Sequence, residues 1–97
     1  MPDLYDLSDA VHDETSFIEF IDALRSDWLD ERRKEQVNAS PPYGRGANGW
    51  ENGDIDGFLD AASAWARASR CGMLLYEVPA NPWARAAQIL HAGKFYE

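Results

Sequence analysis

With 97 residues, of which 45% are apolar and 12% aromatic, the chain has material for one hydrophobic core and not the composition of a disordered segment. No run approaches the ~18–20 apolar residues of a membrane span. A net charge of −8, concentrated in residues 1–35 with 11 Asp and Glu against 4 Lys and Arg, disfavours direct nucleic-acid binding, which needs a basic surface.

In chain order, Leu4, Leu7 and Val11 recur at helical spacing and predict a short helix over 3–11. Asp13 and Thr15 are both N-cap types, and Ser16 with Glu19 has the form of a capping box. A long helix over 14–36 follows. Phe17, Phe20, Ile21, Leu24 and Trp28 make its apolar stripe, and Glu19, Asp22, Ser26, Asp30 and Arg33 fall opposite.

Residues 38–52 form a Gly/Pro-rich loop. A third helix over 53–69 starts near Asn52 or Asp54 and buries Ile55, Phe58, Leu59, Ala62, Trp65 and Ala66. Met73 to Val78 reads as an extended segment, since a lone strand would have no partner. Asn81-Pro82 starts a last helix over 82–92, with Trp83, Ala86, Ala87 and Leu90 inward and Gly93 as its stop. The expected fold is all-α, a small bundle of about four helices in a single domain over 1–97.

Few motifs carry chemistry. Gly44 to Gly49 spells G-x-G-x-x-G, but no strand precedes it and no helix begins inside it, so it reads as a loop. Pro41-Pro42-Tyr43 lacks the spacing of the usual proline ligand. His12 and His91 each stand alone, without the closely spaced partners of a zinc site. Cys71 reads as a buried structural cysteine, and His91 as a cation near a helix C-terminus. No catalytic residue, cofactor or metal is expected. Trp28, Trp65 and Trp83 sit at core positions, whereas Trp50 lies in the loop, either plugging the core edge or serving as a surface anchor.

Several steps together carry a resemblance: Val11-His12-Asp13, Phe17 to Phe20, Trp50-Glu51-Asn52, Phe58 to Ala61, Trp65, Pro82-Trp83 and Ala92 to Glu97. The chain resembles, along nearly its whole length, a family of small uncharacterised bacterial proteins, known only as a domain of unknown function. The most specific parts are the W-E-N step, the F-L-x-A-x-x-x-W helix and the closing Y-E. The resemblance implies a shared fold and a bacterial, cytoplasmic origin. It brings no activity, cofactor or site residue.

The N-terminus lacks a basic, then apolar, signal pattern, and the single cysteine agrees with a reducing compartment, so the expected location is cytoplasmic. The leading functional expectation is a non-enzymatic, acidic protein-interaction domain that binds a basic partner, immunity- or inhibitor-like by analogy of class. Its candidate contact residues are Glu19, Asp22, Asp30 and Trp50. Two alternatives stay open. One is a small ligand-binding domain or enzyme with a pocket near Trp50 and the glycine loop. The other is a structural homodimer, which exposure of Phe95-Tyr96 or Met73 to Tyr76 would favour.

Overall fold

The computed structural model describes residues 3–41 and 45–97. Met1, Pro2, and the Pro42, Tyr43 and Gly44 of the proline and glycine motifs lie outside the described residues.

Four helices follow in order: α1 (Leu4–Ala10), α2 (Glu14–Val37), α3 (Ile55–Ser69) and α4 (Pro82–Phe95). Their starts are set by local chemistry. Asp3, Asp13, Asp54 and Asn81 each accept a hydrogen bond on the side chain from a backbone N–H of the first turn that would otherwise be orphaned. The capping box of α2 is one turn earlier than the Ser16/Glu19 pattern. Asp13 is the N-cap and Ser16 the reciprocal partner, its Oγ accepting from the Asp13 N–H at 3.1 Å. Pro82 at the first turn of α4 has no N–H to leave unpaired.

α4 is the centre of the fold. It packs against α1, α2 and α3, whereas α2 and α3 do not pack directly on each other. Small residues make this central place possible, because Ala84, Ala87, Ala92 and Gly93 are buried and let neighbouring backbones approach. The core gathers Val11, Phe20, Leu24, Trp50 and Ala87, with Leu4, Leu7, Phe17, Trp28, Phe58 and Leu90 packed against it. Asn81 Nδ2 donates to the His12 carbonyl at 2.9 Å and pins the start of α4 to the turn between α1 and α2.

Several expectations are corrected. α4 continues through Gly93 to Phe95, so Gly93 is no stop. A Cβ there would stand 2.9 Å from the Phe58 ring and from the Phe58 carbonyl oxygen, and the glycine instead marks the closest approach of α4 to α3. Trp83 is exposed and covers Phe17 from outside, the buried position being the adjacent Ala84. Ile21, Ile55 and Leu59 are exposed, because α2 and α3 lack the direct contact that would cover them.

Met73 to Tyr76 is a tight turn with one isolated antiparallel bridge, and no strand occurs among the described residues. Cys71 is exposed, not buried.

Candidate functional site

The loop after α2 folds back along that helix and is held by acids spaced roughly one turn apart. Glu35 accepts from the N–H groups of Ser40 at 2.7 Å and Ala47 at 2.8 Å. Glu31, only 1% exposed, accepts on Oε1 from the N–H groups of Asn48 at 3.1 Å and Trp50 at 3.0 Å. Buried donors must find acceptors, so these carboxylates fix the loop's path.

Asn48 ties the same region together. Its Nδ2 donates to the Asp27 carbonyl and to Asp30 Oδ2, each at 3.0 Å, and its Oδ1 accepts from Lys34 Nζ at 2.8 Å. Gly46 leaves room for this arrangement, since a Cβ there would fall in the space of the Glu31 carboxylate.

Trp50 is buried beneath α2, its ring edge-on to Trp28 and stacked on Phe58. Its Nε1 donates to Asp27 Oδ2 at 2.8 Å, and Lys94 Nζ donates to the same oxygen at 2.8 Å. Asp27 therefore joins loop, α2 and the end of α4. Beyond Trp50, the N–H groups of Glu51 and Asn52 donate to the Lys94 carbonyl, while Asn52 Nδ2 donates to the carbonyls of Gly93 and Tyr96 at 3.0 Å each. The Trp50-Glu51-Asn52 step thus satisfies carbonyls left open at the C-terminus of α4.

Against this frame lies an open cleft of about 940 Å³ between α1 and α2. Asp3, Tyr5 and Leu7 form one side; Asp22, Asp27 and Asp30 form the other; His91 and Lys94 of α4 form the floor. Of these four carboxylates, Asp27 is paired with Lys94 and Asp30 with Arg33 and Lys34, which leaves Asp3 and Asp22 without an ion pair among the described residues.

Asp30 accepts from Asn48, Lys34 and Arg33, in that order of effect, which holds its carboxyl well below the usual carboxylate range. Asp22 makes no ion pair or hydrogen bond through its side chain among the described residues, and Asp27 Oδ1 likewise has no partner among them.

Burial pushes His91 down to about 4, with Lys94 adding to the effect, so the ring is neutral near pH 7. It is enclosed by Tyr5, Phe20 and Phe95, with centroids at 4.5, 6.4 and 5.2 Å. The expected role of His91 as a favourable cation at a helix end is therefore corrected: the position is a desolvated one.

Of the candidate contact residues, Asp22 and Asp30 share the cleft, Glu19 is exposed on α2 but does not line it, and Trp50 lies under it as a core residue. Asp30 is an anchor for the loop as well as a cleft wall. Sequence reasoning missed Asp27, Glu31 and Lys94. Glu31 carried a signal: it continues the Phe17, Phe20, Leu24, Trp28 stripe at i+3, where a carboxylate needs buried donors. Asp27 and Lys94 carried none, since they meet only when α2 and α4 pack.

Beside Trp50 there is a second, shallower depression of about 540 Å³, walled by Trp28, Gly53, Ile55, Phe58 and Leu59. It is apolar, and its single acid, Asp54, is engaged in capping α3.

Comparison with known proteins places the chain without assigning it an activity. Residues 13–97 match the model described as Family of unknown function (DUF7660). No curated protein matches, and no solved structure matches. The match covers α2 to α4 with the acids and bases they contribute, and begins after α1. The chain belongs to this family of unknown function.

Proposed function

We propose that this member of the family is a non-enzymatic binding domain that receives a basic side chain of a protein partner in the acidic cleft between α1 and α2. One observation carries the reading: Asp22 and Asp27 Oδ1 are acceptors without partners among the described residues, in a cleft where Asp3 and Asp22 have no cation beside them. Asp27 and Asp30 are already held in place by Trp50, Asn48 and Lys94, so little ordering cost falls on binding.

The tip of an arginine or lysine side chain meets Asp22 and Asp27 in this arrangement, and its aliphatic stem lies against Tyr5 and Leu7. The net charge steers a basic partner toward the cleft and makes association salt-dependent. A cytoplasmic setting, a bacterial origin and an immunity- or inhibitor-like role belong to this proposal. The bacterial origin rests on the resemblance, and the rest on the acidity, the single cysteine and the analogy of class.

The test is a capture experiment with three baits: the native chain, a variant carrying Asp3→Asn and Asp22→Asn, and a Glu19→Gln control outside the cleft. Asparagine keeps the N-cap function at position 3. The expected result is a basic protein retained by the native and control baits, released by salt and not retained by the cleft variant. Retention of the same proteins by all three baits refutes the reading.

A further inference from the structure

The outer side of α3 carries a pattern that the cleft does not use. Asp54, Asp56 and Asp60 stand at its N-terminal end and Arg67 and Arg70 at its C-terminal end, all exposed, and none makes an ion pair among the described residues. At about 100° per residue, Asp56, Leu59, Asp60, Ser63, Arg67 and Arg70 fall within one arc of about a third of a turn. Leu59 is 57% exposed, and Ile55 at the edge of the arc is 79% exposed.

Just past the helix, the Met73–Tyr76 turn holds two more leucines out: Leu74 is 93% and Leu75 99% exposed. The turn is a built feature. Met73 and Tyr76 exchange backbone hydrogen bonds of 3.2 and 3.0 Å, and the Tyr76 hydroxyl donates to Gln88 Oε1 at 2.6 Å while accepting from Arg85. Leu75 has φ 64°, a left-handed conformation that a leucine rarely adopts. The turn is thus a fixed apolar tip past the C-terminal end of α3, anchored by Tyr76 on Trp65 and α4.

We infer that this face pairs with the same face of a second copy, the two α3 helices antiparallel about a twofold axis near Ser63. The charge order is self-complementary in that arrangement only. Asp56 then faces Arg70 of the other copy and Asp60 faces its Arg67, and the twofold repeats each pair. In a parallel pairing, acids would face acids and arginines face arginines.

The same register sets Leu59 of each copy against the other helix near Arg67, partly covering a side chain that a lone chain leaves in water. Ser63 and Ala64 at the crossing allow the helices to come close. This face shares no residue with the acidic cleft, so dimerisation and binding of a basic partner succeed or fail separately.

The test is sedimentation equilibrium over about 1 µM to 1 mM, the range of weak to moderate association. It is run on the native chain, an acidic variant (Arg67→Glu with Arg70→Glu) and a basic variant (Asp56→Lys with Asp60→Lys). The native chain is expected to reach dimer mass. Each variant alone is expected to self-associate at least about a hundredfold more weakly, because like charges oppose one another. An equimolar mixture of the two variants recovers dimer mass.

Leu59→Lys, at a position 57% exposed in the lone chain, places a cation opposite Arg67 of the other copy; it provides a second probe and is also expected to weaken the dimer. A native chain that is monomeric throughout overturns the inference. So does a dimer that the variants leave intact, or a mixture that stays monomeric while circular dichroism shows both variants folded.

Discussion

Protonation of His91 provides a perturbation that needs no mutation. The ring is 5% exposed, lies among Tyr5, Phe20 and Phe95, and is pushed down to about 4 chiefly by burial and secondarily by Lys94. In the unfolded chain it titrates near its ordinary value of 6.5. The folded state therefore binds the proton less readily than the unfolded one, and stability is fully present above pH ~6.5 and lost as pH falls toward about 4.

A displacement from 6.5 to about 4 corresponds at most to roughly 3 kcal/mol, of which about 2 kcal/mol is gone by pH ~5. Asp13, Asp30 and Glu35, all held low by hydrogen bonds, likewise lose their contribution on acidification, but only below the ordinary carboxylate range. The interval between pH ~7 and ~5 thus isolates the histidine.

The assay is urea unfolding followed by tryptophan fluorescence at pH ~7, ~6 and ~5, for the native chain and for His91→Phe. Phenylalanine keeps an aromatic edge in the site and cannot ionise. Because the ring also changes size, the change with pH, not the absolute stability, is compared between the two proteins. The native chain is expected to lose about 2 kcal/mol across the interval and the variant much less. Equal losses in both proteins would refute the assignment of a desolvated, neutral His91.

Three further outcomes follow from the packing. Gly93→Ala gains about 1 kcal/mol of helix propensity but places a Cβ 2.9 Å from the Phe58 carbonyl, which cannot yield as a side chain does; a net loss of about 1–2 kcal/mol is expected, and a stabilised variant would contradict the close approach. Gly46→Ala displaces the Glu31 carboxylate from the Asn48 and Trp50 N–H groups, with an expected loss of about 2–4 kcal/mol in chemical denaturation. Trp50→Phe removes the Nε1 bond to Asp27 and part of the ring, and should lower the stability by about 2–3 kcal/mol, with an unchanged denaturation midpoint counting against a core role.

The positions of the helices were legible because their determinants are local. Asp13, Asp54 and Asn81-Pro82 act on N–H groups within the next turn, and the Phe17 to Trp28 stripe repeats within one helix. The acidity of the first third, and with it the candidacy of Asp22 and Asp30, was likewise a property of the sequence alone.

What tertiary structure decided is which helix each face meets. α4, not the longer α2, became the centre, its buried Ala84, Ala87, Ala92 and Gly93 admitting α1, α2 and α3 on several sides. That choice left Ile55 and Leu59 in water, turned Gly93 from a stop into a contact and placed His91 in a desolvated site. It also divided the acids by role: Glu31 and Glu35 hold a loop, Asp27 accepts from Trp50 and Lys94, and Asp22 faces an open cleft. A carboxylate's role depends on donors that approach from distant parts of the chain, and the packing of α2 with α4 and the loop is what brings them there.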